Sequence, residues 1–203
     1  AAQGLSRATD GAFDVTGGPL MRSWCFVNDT GHVPTTDGLA EARARTGMHL
    51  VHLDAARRTV RFERKGVEID LGGIGKGYAI DEAVAILQEL GIAAALLHGG
   101  TSTIYALGHP ESEPAWRAAV TGPDGEDVLA IVDLQDEALS VSAPSGKAFT
   151  AAGVHYGHVL DPRRGRPGDG AALSAVVAQR AMQSDALSTA LLVQGADAVP
   201  GFA

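Results

Sequence analysis

The segment Asp70–Ala83 reads DLGGIGKGYAIDEA and is rich in glycine, with Lys76 as its one cation. Glycine lets a backbone approach a ligand closely because it carries no Cβ. A helix that starts just downstream offers free N–H groups and the positive end of its dipole to an anion. The segment therefore indicates a site for a phosphate-bearing ligand.

The spacing of this segment excludes two familiar phosphate-binding motifs. A P-loop requires Gly-Lys followed by Ser or Thr, whereas Gly75-Lys76 is followed by Gly77. A dinucleotide-binding turn requires G-x-G-x-x-G, whereas Gly73, Gly75 and Gly77 form G-x-G-x-G. The alternative is a glycine-rich turn that only packs a helix tightly against a sheet.

A second candidate pair lies near the end of the chain. Asp185 and Thr189 are four residues apart in SDALSTALL, so a helix places them on the same face. A carboxylate and a hydroxyl are hard oxygen ligands that suit Mg²⁺, which also keeps waters and binds phosphate oxygens. The alternative is that Ser184-Asp185 caps the helix.

Three further segments hold side chains that could act chemically. His158, in YGHVLDP, is a candidate acid, base or phosphate partner, or a half-buried structural histidine. Asp70 can accept hydrogen bonds from a ligand or from the loop's own N–H groups. Ala12-Phe13-Asp14 offers an aromatic ring and a carboxylate, or else a core phenylalanine and an Asx turn.

Composition narrows the class of protein. The 203 residues are 45% apolar and carry a formal net charge of −8, which argues against nucleic-acid binding. Cys25 is the single cysteine, so an intramolecular disulfide and a cysteine-based zinc site are excluded. No run of 18 apolar residues is present, so we expect no membrane span in this chain. Neither end reads as a natural terminus, and we expect a piece of a longer protein.

The elements that must position these residues follow from periodicity and turn signals. Helices are predicted for the residues before Ala8, over 34–47 with a Thr36 or Asp37 cap, over 76–90 and over 184–193; residues 11–20 are predicted to be a loop. Strands are predicted over 50–53, 59–62, 67–71, 92–97, 116–120, 128–134, 139–142, 156–160 and 173–178. Short strands mixed irregularly with a few helices predict an α+β fold.

Four blocks of the chain, in order, resemble the ApbE family of FAD:protein FMN transferases. The blocks are GAFDVTGGPLMRSW, DLGGIGKGYAID, YGHVLDPRRGRP and SDALSTALLVQG. The resemblance covers nearly all 203 residues. It implies an α+β, T-fold-related arrangement and one catalytic domain over residues 1–203 that lacks the family's N-terminal segment.

The resemblance also implies an activity and its cofactors. Such enzymes bind FAD with Mg²⁺, pass FMN to a Thr or Ser hydroxyl of an acceptor protein and release AMP. By resemblance the metal positions are Gly73, through its carbonyl, Asp185, Ser188 and Thr189, and the flavin-nucleotide contacts are Ala12, Phe13, Asp14, Asp70, Lys76 and Val159. His158 is the implied catalytic residue. Family members suggest a bacterial, extracytoplasmic location, periplasmic or membrane-anchored, and less often a cytoplasmic one.

The chain departs from the family pattern at several positions. Thr101 stands where Asp is usual, Val141-Ser142-Ala143 stands for Thr-Ser-Gly, and Gly75 replaces the commoner Ala. Two other functions therefore stay open beside the transferase. One is a non-catalytic FAD-binding paralogue, and the other is an FAD pyrophosphatase, in which water replaces the acceptor hydroxyl.

Overall fold

Helices and antiparallel strands alternate irregularly along the chain, which confirms the predicted α+β class; the computed structural model describes residues 1–28, 30–144 and 147–201. The α-helices of these ranges are α1 (Ala2–Ala8), α2 (Gly18–Ser23), α3 (Thr36–Arg43), α4 (Gly75–Glu89) and α5 (Ala181–Gln194). Their strands are β1 (Val51–Asp54), β2 (Thr59–Phe62), β3 (Ala95–Gly99), β4 (Thr103–Leu107), β5 (Trp116–Thr121), β6 (Val128–Leu134), β7 (Glu137–Ser142), β8 (Ala148–Ala151), β9 (Val154–Gly157), β10 (Leu160–Asp161), β11 (Arg166–Pro167) and β12 (Ser174–Ala178). Short 3-10 helices span Phe26–Asn28, Met48–Leu50 and Ala196–Gly201.

A four-stranded antiparallel sheet, in the order β12-β7-β4-β3, forms the centre of the fold. Side chains alternate between its two faces because the strand repeat is two residues. On one face Tyr105 and Ala138 pack with Ile80 of α4. On the other face Ala106 and Leu139 pack with residues of the β5–β6 hairpin. Helix α5 lies beside α4 and contacts β7 and β12.

The β8–β9 hairpin packs through aromatic rings on Trp24, the residue that directly follows α2. The ring of Trp24 lies 5.4 Å from that of Tyr156, and Phe149 stacks on Tyr156 at 5.1 Å. The indole N–H of Trp24 also donates to the carbonyl of Gly165 at 2.9 Å. These contacts hold the segment 156–165 at both of its ends, and this segment carries the YGHVLDP motif.

Several element boundaries differ from the sequence prediction. The helix predicted over 34–47 is shorter, because Thr35 caps it by accepting from the Gly38 N–H and the helix ends at Arg43. The predicted loop over 11–20 turns helical from Gly18, where Pro19 suits the first helical turn. Strands β4, β8 and β11 were not predicted, and β3 begins three residues later than predicted.

The strand predicted over 67–71 is wrong. These residues belong to no strand of the structure. Val67 packs in a small cluster with Leu50 and Val51, and the Asp70 N–H donates to the Val15 carbonyl at 2.7 Å. Burial of one apolar side chain therefore produced a strand-like pattern without ladder pairing.

Within the described ranges, no helix has both the length and the apolar character that a membrane crossing requires.

Candidate functional site

A cavity of about 600 Å³ opens between the glycine-rich loop, α5, the segment before α2 and the segment after β9. The residues predicted for the site that line it are Ala12, Phe13, Asp14, Asp70, Gly73, Lys76, His158, Val159, Asp185 and Thr189. The turn of the β5–β6 hairpin, residues 121–125, forms another part of the wall. The tertiary fold thus brings four separated sequence blocks to one cavity.

The glycines of the loop meet two different demands. A Cβ on Gly73 would lie 3.3 Å from the Thr189 hydroxyl, so the bare backbone of Gly73 sits close to that side chain. A Cβ on Gly77 would lie 2.2 Å from the carbonyl oxygen of Ala181, so α4 and α5 can cross this closely only at a glycine. The packing interpretation is therefore correct for Gly77, with a helix rather than the sheet as its neighbour.

The start of α4 presents fewer free amides than its position suggested. The Gly75 N–H donates to the Leu71 carbonyl at 2.7 Å, and the Gly77 N–H donates to Asp185 Oδ2 at 3.1 Å. These two donors are therefore satisfied within the protein. The Lys76 ammonium, which lines the cavity, remains a positive group that the loop can offer to an anion.

Asp185 lies one turn inside α5, so the interpretation of Asp185 as the cap of its own helix is wrong. The helix begins at Ala181, whose N–H donates to Asp81 Oδ1 at 2.7 Å. Asp81 of α4 thus caps α5, and Asp185 of α5 accepts from an N-terminal amide of α4. Sequence reasoning did not single out Asp81, because its partner lies 100 residues away.

The Asp185 carboxylate is buried and has a cation beside it. The residue is only 3% exposed, and Lys76 Nζ lies 3.2 Å from Asp185 Oδ1. The same ammonium lies 3.3 Å from the Gly72 carbonyl oxygen. Lys76, Gly72 and Asp185 thus form a cluster in the cavity wall at the N-terminus of α4.

Hydroxyl groups of serine and threonine connect α5, the helix that carries Asp185, to the central sheet. The Thr189 hydroxyl donates to the Asp185 carbonyl at 3.1 Å, and Ser142 Oγ lies 3.5 Å from Thr189 Oγ1 and 2.8 Å from Ser188 Oγ. Ser188 is fully buried and is not part of the cavity lining, unlike the other predicted metal residues. Its hydroxyl bonds to Ser142 and to the Asp185 carbonyl, which places it behind Thr189.

Two of the residues predicted to contact the flavin nucleotide, Asp14 and Phe13, make contacts within the protein itself. Asp14 accepts from the N–H and hydroxyl of Thr16 at 2.8 and 2.6 Å and from the Met48 N–H at 2.9 Å. Phe13 belongs to a buried cluster with Met182. Both line the cavity, and their contacts match the alternative interpretation of a core phenylalanine and an Asx turn.

His158 is held by the β8–β9 hairpin. Its Nδ1 lies 3.2 Å from the Lys147 carbonyl, which requires a proton on Nδ1 and leaves Nε2 as the basic nitrogen of the neutral ring. Burial lowers the pKa of His158, and the nearby positive charge of Lys147 lowers it further, while hydrogen bonds to backbone carbonyls oppose the change. The histidine beside the cavity is therefore a neutral imidazole at pH 7.

The turn after His158 is fixed by an ion pair. Asp161 is buried and accepts from the Arg163 backbone N–H, Nε and a terminal nitrogen, each at 2.9 Å. Burial alone would raise the pKa of Asp161, but the hydrogen bonds and charge of Arg163 outweigh it and hold that pKa below its ordinary value.

Comparison with known proteins decides the family. The ApbE family matches residues 1–203 of the chain. This chain belongs to the ApbE family. The FAD:protein FMN transferase of Salmonella typhimurium is 32% identical over 198 residues, which cover 94% of this chain and 56% of that protein. The FAD:protein FMN transferase of Rhodobacter capsulatus is 33% identical, with 98% and 38% covered.

Solved ApbE structures share the fold. The ApbE protein of Thermotoga maritima superposes with a TM-score of 0.90 at 33% identity, covering 98% of this chain and 65% of that one. The apo flavinyl transferase ApbE of Pseudomonas stutzeri gives 0.84 at 31% identity, with 97% and 61% covered. The chain spans 56% of the length of the Salmonella relative, so it corresponds to about half of that protein.

Three of the four positions at which the sequence was expected to depart from the family pattern lie in the cavity wall, whereas the fourth, Gly75, is absent from its lining. Thr101, Val141 and Ala143 all line the cavity, as does Ser142 between the last two. The sequence pointed to Val141-Ser142-Ala143 only through its first and last residues, and Ser142 itself was not predicted as a site residue. The one signal for Ser142 was its place in the tripeptide for which the resemblance implies Thr-Ser-Gly.

The donor set at this site fits Mg²⁺ bound together with a phosphate. Asp185 supplies a carboxylate and Thr189 a hydroxyl, and the Gly73 backbone lies so close to Thr189 that a Cβ on Gly73 would meet its hydroxyl in a tight contact of 3.3 Å. In the part of the chain that the structure describes, no group of three or more His, Cys, Asp or Glu side chains could form a cage for a metal. A site with one carboxylate suits Mg²⁺, because Mg²⁺ takes its remaining ligands from water and substrate phosphates.

Proposed function

We propose that this chain carries the catalytic cavity of an FAD:protein FMN transferase. The reaction is the Mg²⁺-dependent transfer of FMN from FAD to a Thr or Ser hydroxyl of an acceptor protein, with release of AMP. The observation that carries this proposal is the convergence of Asp185, Thr189, Lys76 and His158 on one cavity. The names of the ApbE relatives, which are FAD:protein FMN transferases, supply the substrate class.

The residues of the cavity divide the work of a phosphoryl-type transfer. The acceptor oxygen attacks the phosphorus of the FMN half, the bond to the bridging oxygen breaks, and AMP leaves with that oxygen. Nε2 of His158 can take the proton of the acceptor hydroxyl because the imidazole is neutral at pH 7. Lys76 can pair with a phosphate oxygen, and Asp185, Thr189 and the Gly73 carbonyl would hold Mg²⁺, which neutralises charge on the phosphates.

The proposal is tested by mixing the chain with FAD, Mg²⁺ and an acceptor domain that carries a flavinylation threonine. We expect covalent flavin fluorescence on the acceptor and one AMP for each flavin transferred. An acceptor with that threonine changed to alanine should stay unlabelled. Asp185→Asn should abolish both signals and still fold, because the amide oxygen can still accept from the Gly77 N–H.

A second function is favoured by one specific observation, the presence of Thr101, Val141 and Ala143 in the cavity wall. These departures would fit a paralogue that binds FAD without transferring it. The same experiment separates the two. FAD binding without AMP release supports the binding protein, AMP release without labelled acceptor supports a pyrophosphatase, and either result overturns the transferase.

A further inference from the structure

The ammonium of Lys76 lies beside the Asp185 carboxylate, which is the group proposed above to hold a metal ion. Lys76 Nζ lies 3.2 Å from Asp185 Oδ1 and 3.3 Å from the Gly72 carbonyl oxygen. A carboxylate and a backbone carbonyl are also the hard ligands that Mg²⁺ prefers, at about 2.1 Å. The Lys76 ammonium therefore contacts two kinds of oxygen, a carboxylate and a backbone carbonyl, that a metal ion would also bind.

The burial of the two charges is unequal. The Asp185 side chain is 5% exposed, whereas the Lys76 side chain is 41% exposed. A buried carboxylate needs a positive partner or hydrogen bonds to stay ionised. The other oxygen of Asp185 accepts from the Gly77 N–H, so Lys76 supplies the balancing charge. Because the Lys76 side chain is partly exposed and lines the cavity, its ammonium can move away from Asp185.

We propose that Lys76 is an exchangeable counter-ion of Asp185, which makes the metal and the phosphate-bearing substrate bind cooperatively; this inference rests on the proposed function. A divalent ion alone must displace the ammonium and gives it no new anion in return. When a pyrophosphate is present, the ammonium moves to a phosphate oxygen and the metal gains phosphate ligands. Each ligand thereby strengthens the binding of the other.

The binding of Mn²⁺ alone tests this inference, with the aquo-ion signal in electron paramagnetic resonance as the readout and no nucleotide present. We expect Lys76→Met to bind Mn²⁺ about tenfold more tightly than the wild-type chain, because no ammonium competes for Asp185. Lys65→Met is the matched control, since Lys65 is exposed, is absent from the cavity lining and carries the same charge. Its affinity should equal that of the wild type.

A second measurement uses FAD and does not depend on one variant alone. The dissociation constant of FAD is measured with Mg²⁺ and with EDTA, for the wild type and for Lys76→Met and Lys76→Gln. We expect Mg²⁺ to tighten FAD binding at least tenfold in the wild type and by a factor at least threefold smaller in both variants, which keep the metal–phosphate contact but lack the ammonium. Near-UV circular dichroism and a urea midpoint confirm that the variants are folded.

The outcomes separate this inference from the proposed function. Mn²⁺ affinity in Lys76→Met that equals or falls below that of the wild type, with the control unchanged, overturns the counter-ion role and leaves the metal site standing. A wild-type chain whose FAD affinity is the same with Mg²⁺ and EDTA, and which binds no Mn²⁺, overturns the proposed metal site itself.

Discussion

The crossing of α4 and α5 at Gly77 yields a prediction in which helix propensity and packing have opposite signs. Replacing glycine by alanine inside a helix is normally stabilising, by at most about 1 kcal/mol. At Gly77 the new Cβ would lie 2.2 Å from the Ala181 carbonyl oxygen and 2.6 Å from the Met182 Cα. Both obstacles are backbone atoms, so no side-chain rotation can relieve the contact.

The magnitude follows from the size of the displacement. An ordinary Cβ contact begins near 3.4 Å, so α5 must move away by roughly 1 Å at this point. Overpacking of this kind costs about 1–3 kcal/mol, and a collision with backbone lies at the upper end. After subtraction of the helix-propensity gain, we expect Gly77→Ala to lower the free energy of unfolding by about 2 kcal/mol.

Gly75 provides the matched control in the same helix. A Cβ there would lie 3.6 Å from the Leu71 Cβ, which is ordinary van der Waals contact. Gly75→Ala should therefore leave stability unchanged or raise it by up to about 1 kcal/mol.

Urea unfolding followed by circular dichroism at pH 7 measures both variants by linear extrapolation. A loss of 2 kcal/mol also corresponds to a fall in melting temperature of roughly 4–8 °C for a chain of this size. Equal unfolding free energies for Gly75→Ala and Gly77→Ala would refute the packing argument, as would a Gly77→Ala protein more stable than the wild type.

Three further changes probe the rest of the site. Asp161→Asn should cost about 1–2 kcal/mol at pH 7, because its arginine partners stay partly in water. Because the pKa of Asp161 is lowered in the folded protein, its carboxylate stabilises the fold above the ordinary carboxyl pKa, and this stabilisation is lost as the pH falls through the lowered pKa. The urea midpoints of the wild type and Asp161→Asn should therefore converge in acid. Ser142→Ala should cost about 1 kcal/mol and weaken Mn²⁺ binding several-fold, because it removes the partner of Ser188 and Thr189; unchanged Mn²⁺ affinity would contradict its positioning role. The ring protons of His158, assigned by their loss in His158→Gln, should titrate in NMR below the ordinary value of 6.5, and a midpoint at or above 6.5 would contradict the lowered pKa of His158.

The local sequence pattern was sufficient to predict some of the elements. The helix predicted over 76–90 was observed at Gly75–Glu89, and the strand over 128–134 was observed with the same bounds. The helix buries a stripe at helical spacing that includes Ile80 and Val84. The strand is instead an apolar run whose residues Val128, Leu129 and Ile131 stay exposed. The strand over 67–71 failed because its one buried side chain packs on a neighbouring cluster without a ladder partner.

The sequence showed which types of residue the site contains, but it did not show which residues form hydrogen bonds with one another. The sequence placed Asp185 and Thr189 on one helix face, and the structure keeps them there. It could not show that Asp185 accepts from Gly77, 108 residues away, or that Ser142 reaches Ser188. Such hydrogen bonds depend on how helices and sheet pack, which local spacing does not encode.

The sequence by itself determined the α+β class, the four ordered blocks of the ApbE family and the donor types available to a metal and a phosphate. The tertiary structure alone decided that these blocks share one cavity, that Asp81 and Asp185 cap each other's helices, and that Lys76 lies on Asp185. The physical reason is that a hydrogen bond or ion pair requires contact within about 3 Å. The close crossing of the two helices at Gly77 brings Lys76 and Asp185, which are 109 positions apart in the sequence, to that distance.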